Sequence, residues 1–152
     1  MKIVVFNLRY GANLGDRLIA ECLAAELAGV DPSFEIDAQD LGGRDAPQTG
    51  TGKRGLRMVA LYVLQALPGR ARQRVAGMML ERLVKRRLEP RWAGVLSDAD
   101  AVVIGGGGIF ADSDLNFPMK IGAALRMAAA RDLPVAIHAV GVSPGWSPRG
   151  RA

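Results

Sequence analysis

The chain is expected to adopt an α/β fold, a parallel β-sheet with helices on both faces. Three observations predict it. Short, continuously apolar, β-branched runs such as "IVVFN" at residues 3–7 and "AVVI" at 101–104 have the pattern of strands buried on both faces. These runs alternate with stretches of helical period, the rhythm of parallel strands joined by crossover helices. Finally, strand-like runs lead into glycine-containing segments, "GANLGD" after the first and "GGGG" at 105–108.

The elements follow in order. After the first strand, Leu18, Ile19, Cys22, Leu23 and Leu27 recur at helical spacing, which predicts a helix over about 17–28 with Asp16 as its N-cap. Cys22, on the apolar side of that helix, is expected to be buried. "FEIDAQDL" reads as a second strand, and residues 42–55 as an exposed loop rich in turn formers. Two helices are expected at about 54–67 and 70–89, separated by Pro68 and Gly69. A third strand ends at the glycines, an Ala-rich helix covers 118–131, and "LPVAIHAVGVSPG" closes with a fourth strand and a turn. Residues 1–152 read as one domain. The run stops just after a strand, where an α/β fold would supply another helix, and the tail "WSPRGRA" is expected to pack on nothing.

Composition narrows the function classes. Apolar residues make up 49% of the chain, ordinary for a folded domain. The most apolar stretch, Met58 to Leu67, is too short to span a bilayer, and "MKIVVFN" enters a strand without a cleavage site for a leader. One cysteine cannot form an internal disulfide, which fits a reducing cytoplasm. The net charge of +5 is concentrated: Gly52 to Arg91 holds 11 basic residues against two acidic ones, a basic helical insert within the domain. From Arg70 to Arg91, basic residues interleave with Val75, Met78, Met79, Leu83, Val84 and Leu88. This describes either the solvated face of a packed helix or an attachment to an anionic membrane surface. No aromatic lies between Gly69 and Pro90 for base stacking, so a nucleic-acid partner is not expected.

Two glycine segments at the carboxyl ends of parallel strands should face one crevice, where open α/β sheets bind ligands. Each is followed by an acid, Asp16 and Asp112. The tetraglycine is a poor dinucleotide fingerprint, because the next strand carries no acid at its end for a ribose. "TGTGKRG" is no Walker loop, with Pro47 at the first glycine position and Arg54 in place of Ser or Thr. His138 is the only histidine; it reads either as a core residue of the last strand or as a proton carrier near the crevice mouth. No metal is expected: there is no cysteine cluster or second histidine, and Asp98 and Asp100 precede their strand while Asp112 and Asp114 follow it.

These residues carry a resemblance. Asn13-Leu14-Gly15-Asp16 resembles the N-x-G-D element of the polysaccharide pyruvyl transferases. The run from Asp100 through Gly105, Gly106, Gly107 and Gly108 to Asp112 is similar to that family's aspartate-strand-glycine element. "LPVAIHAVGVSP" sits where the family has a strand and a Gly-x-Gly turn, although Ala139 and Val140 replace the usual Gly-Gln before Gly141. The resemblance implies a Rossmann-like domain like the N-terminal half of a GT-B enzyme, with the C-terminal domain missing here. It implies transfer of a pyruvyl group from phosphoenolpyruvate to a sugar hydroxyl of a cell-envelope polysaccharide, with no cofactor beyond that donor. That chemistry needs an acid and a base, and the chain offers His138 as proton carrier and Asp16 as acceptor for a sugar hydroxyl proton, unless Asp16 is only a helix cap; substrate contacts are expected from Asn13, Gly15, Gly105 to Gly108, Asp112 and Gly141. The glycines would bare backbone N–H groups to an anionic donor or a sugar.

Two other readings compete: the same architecture in a sugar-nucleotide glycosyltransferase, and a truncated, non-catalytic membrane-surface or partner-binding module. The first differs in its donor; the second takes its support from the basic segment.

Overall fold

The computed structural model describes residues 1–11, 13–47, 68–111 and 116–146. Four strands, β1 (Lys2–Asn7), β2 (Glu35–Asp40), β3 (Ala101–Phe110) and β4 (Val135–Val142), form one sheet in the order β2-β1-β3-β4. Every neighbouring pair is parallel, with Ile3 beside Ile36 and Ala101, and Val103 beside Ala136. The α/β expectation holds, as a Rossmann-like sheet with helices. Strand β1 sits centrally, and its alternating side chains serve two cores. Ile3 and Val5 join Val103 and Leu23 on the face covered by α1 (Leu14–Val30). Val4 and Phe6 join Val102, Ile104, Leu88 and Trp92 on the other.

Helix α1 begins earlier than its apolar spacing indicated. Asn13, not Asp16, is the N-cap: its backbone is extended and its Oδ1 accepts a hydrogen bond from Gly15 N at 3.0 Å. Asp16 is thereby displaced into the first turn, where the positive end of the helix dipole favours a carboxylate. The contact with the sheet is narrow. Ala20 and Leu23 are buried, whereas Leu18, Ile19 and Cys22 are exposed, so the expectation of a buried thiol was wrong. Apolar residues cover more of α1's circumference than the sheet can reach.

The opposite layer is a continuous helical rod with a defect. Helix α2 (Gly69–Leu83) passes through a π-turn (Val84–Leu88) into α3 (Glu89–Val95). A helix ending near 89 was expected, and Pro90, which lacks an N–H and crowds the preceding turn, would ordinarily stop one there. The π-turn absorbs it: Glu89 N–H reaches back to Val84 O, a wider ring, and the chain continues helically past the proline. That extension carries Trp92 into the core, fully buried and edge-on to Phe6, with ring centroids 5.0 Å apart. Helix α4 (Asn116–Ala129) packs beside it through Ile121, Ala123, Ala124 and Ala128. The helix expected at 54–67 lies outside the described residues.

At the amino edge of the sheet, Lys2 donates its backbone N–H to Asp100 and its Nζ to Asp98, both at 2.7 Å. The hydrogen bond from Lys2 holds the Asp98 carboxyl below the usual carboxylate range, and Asp98 in turn raises the Lys2 ammonium. These two aspartates therefore serve the edge remote from the glycines. Trp146 departs from the unpacked tail that was expected: its ring lies 6.4 Å from that of Phe110, and its Nε1 donates to Ser143 O.

Candidate active site

In a sheet of parallel strands all carboxyl ends share one edge, so the segment after β1 and the glycines of β3 come together as expected. The glycines are not a loop, however. They lie inside β3, which pairs with β1 only from Ala101 to Ile104 and then runs on beside β4, Gly105 next to His138 and Gly107 next to Val140. Past the last β1 contact, the first turns of α1 lie over β3.

That position explains three of the four glycines. A Cβ on Gly105 would stand 2.7 Å from the His138 carbonyl oxygen and 2.8 Å from Leu23 Cδ2. On Gly106 it would meet Ile19 Cγ2 at 3.1 Å, and on Gly107 the Asp16 Oδ1 at 2.5 Å. Gly106 and Gly107 also hold φ of +88° and +82°, a region L side chains avoid. Only Gly108 faces open space. Their first role is thus to admit α1 and β4, and among the described residues an approach free of any neighbouring side chain is left at Gly108. Gly141, one strand over, stands with its would-be Cβ 3.5 Å from Gly108 Cα.

Asp16 is the acid the fold delivers to this place. Half-buried, it projects from the first turn of α1 onto Gly107. Gly15 beside it is exposed, and its would-be Cβ has only ordinary contact with the Asn13 side chain. Two buried polar residues support the same edge. Asn7, at the end of β1, accepts a hydrogen bond from Arg9 N through Oδ1, and its Nδ2 has no partner. Asp40, at the end of β2, accepts from Tyr10 N and Arg44 N, each at 3.2 Å, while Arg44 Nη1 lies 3.7 Å from it and donates to Tyr10 O. Together they clamp the turn that leads to Asn13. Neither was singled out in the sequence; Asn7 is marked as the polar residue that closes the apolar run of β1, whereas Asp40 closes a strand that is itself mostly polar and carries no such signal. Arg9 and Arg17 flank the turn, and Arg17 Nε is buried without a partner.

His138 stands apart. Strand β4 is the sheet edge, so the imidazole is 57% exposed and not a core group, with Nε2 3.7 Å from Glu26 Oε2. Glu26 is ten residues beyond Asp16 on α1, about 15 Å along the axis. The structure therefore joins Asn13, Gly15, Asp16, Gly107, Gly108 and Gly141 at one edge and leaves the His138 ring on its flank. Asp112 lies outside the described residues. Among the described residues no three His, Cys, Asp or Glu side chains converge as metal ligands.

The polysaccharide pyruvyl transferase family profile matches residues 13–152, from the cap of α1 through the glycines and β4. The chain belongs to the polysaccharide pyruvyl transferase family. No curated protein matches it closely enough to add a nearer relative. Membership in the pyruvyl transferase family implies a transferase with a polysaccharide acceptor. Among the described residues, no helix is long and apolar enough to cross a membrane.

Proposed function

We propose that this chain supplies the acceptor half of a pyruvyl transferase site, with phosphoenolpyruvate as donor and a cell-envelope saccharide as acceptor. The observation that carries this reading is the Asp16 carboxylate seated on Gly107 beside open backbone at Gly108, within a chain of this family. Ketal formation joins two sugar hydroxyl oxygens to the central carbon of the donor and expels phosphate. Of the two hydroxyl protons, one ends on the donor's methylene carbon, making it a methyl, and the other leaves with phosphate. Asp16 is placed to accept the first hydroxyl proton. Its charge disfavours a phosphate alongside, so it faces the sugar.

The donor, with a charge of about −3, calls for several convergent arginines. Of the arginines at this edge in the described structure, Arg44 is already engaged by Asp40 and Arg91 by Gln39 and Asp45, which leaves Arg9 and Arg17. The rest are assigned to a second Rossmann-like domain facing this one in a GT-B arrangement, the whole acting in the cytoplasm. Delivery of the proton to the donor carbon is assigned to His138, the one histidine of the chain, whose ring must leave Glu26 on the flank of the site to reach it.

Pyruvyl transfer by the 152-residue chain paired with a matching C-terminal domain provides the test, the chain alone being expected inactive. Asp16→Asn should lower kcat by about 10²-fold with the fold intact by circular dichroism, and His138→Ala by about tenfold. A wild-type rate in either variant removes that residue from the mechanism. Robust turnover by the isolated chain would refute the half-site. Saturation-transfer NMR that shows a nucleotide sugar, and not phosphoenolpyruvate, bound to the paired protein would favour the glycosyltransferase reading.

A further inference from the structure

The outward face of the α2 rod is built in an unusual way for a solvated helix. Val75, Met78, Met79, Arg82, Lys85 and Arg86 recur at spacings of three and four, so they share one side of the helix, and all six line a single open cleft. Met78 and Met79 are each 59% exposed. The opposite side, with Gly77, Val84 and Leu88, packs inward. Arg91 turns away from this surface altogether, engaged by Gln39 and Asp45, and the Arg70 side chain lies outside the described residues. Arg72, Arg74 and Arg87 are exposed as well but do not line the cleft.

We infer that this face docks on the anionic phospholipid headgroups of a membrane surface. Three cations, Arg82, Lys85 and Arg86, stand beside two exposed thioethers, and Glu81, an acid that also lines the cleft, pairs with Lys85. Anionic headgroups complement the cations. Arginine and lysine can lay their aliphatic stems along the methionines and raise their charged ends to the phosphates. The flexible, polarizable methionines enter the headgroup boundary, where apolar area leaves water. An acidic polymer would use the cations but leave the methionines in water, and the absence of aromatics removes base stacking. This inference does not depend on the pyruvyl transfer chemistry.

The test is cosedimentation of the full chain with phosphatidylcholine vesicles, with and without phosphatidylglycerol. Binding only to the anionic vesicles, weakening as salt rises, is expected. Arg86→Gln should reduce the partition coefficient about fivefold, and the Arg82, Lys85, Arg86→Gln triple variant about a hundredfold. Arg87→Gln removes the same charge from an exposed residue outside the cleft and should have a smaller effect than Arg86→Gln. Met78→Ser with Met79→Ser should weaken binding while preserving its salt dependence. All these side chains are solvent-facing, and equal thermal melts will confirm that the variants fold. The inference is overturned by absent vesicle binding, by equal binding to neutral vesicles, or by equal losses from Arg86→Gln and Arg87→Gln. Self-association abolished by the methionine variant, without vesicle binding, would assign the face to a second copy. Binding to duplex DNA alone would assign it to an acidic polymer.

Discussion

Trp92→Ala should lower stability by about 3–5 kcal/mol, the range for deleting a fully buried large aromatic. The indole touches the interior on all sides and meets the ring of Phe6 edge-on, so the vacancy would open beneath the central strand of the sheet. Folded domains are stable by only about 5–15 kcal/mol, so this single change should leave the protein marginal. Urea unfolding followed by far-UV circular dichroism measures it directly. Trp92→Phe should cost much less, because the ring-to-ring contact survives and the lost indole N–H has no hydrogen-bond partner to strand. An unchanged unfolding midpoint for the alanine variant would show that the α3 extension past Pro90 does not carry the core.

The second large effect is expected at the tetraglycine, and it should be uneven. Gly105→Ala pushes a methyl into the His138 backbone carbonyl, so β3 and β4 must separate or shift, at a cost of about 1–3 kcal/mol. Gly107→Ala adds a left-handed backbone penalty of about 1–2 kcal/mol to a collision with the Asp16 carboxylate. It should therefore lose activity beyond its loss of stability, since the displaced group is the proposed base. Among the described residues Gly108→Ala meets nothing within 4 Å, and it carries no positive φ; it should stay within about 0.5 kcal/mol of the parent. Thermal melts of the three variants, with activity of the paired protein, check the order. Equal losses at all three positions would contradict the packing account of these glycines.

That account answers a question the sequence could pose but not resolve. Four successive glycines announce close approach, yet nothing in their local pattern says what approaches. The partners are β4 at Gly105 and, for Gly105 to Gly107, α1, nearly ninety residues earlier in the chain, which lies over β3 where its pairing with β1 ends at Ile104. Asn7 and Asp40 were overlooked for the same reason. Each closes its own strand, and what makes them a clamp is their convergence on the turn at Arg9 and Tyr10 from neighbouring strands. Cys22 failed in the opposite sense. Helical spacing places it correctly on an apolar side, but only the width of the sheet beneath decides how much of that side is covered.

The sequence by itself determined the α/β class, the order of the described elements and the gathering of both glycine segments at one edge. These follow from strand and helix periodicity and from the parallel direction that crossover helices impose, both local or topological properties. Tertiary structure alone decided that the glycines continue a strand, that Asp16 rests on Gly107 while His138 leans toward Glu26, and that a π-turn carries the helix past Pro90 to bury Trp92. Those outcomes depend on which surfaces meet and where a neighbouring strand ends, and pairing between distant segments leaves no periodic trace in either one.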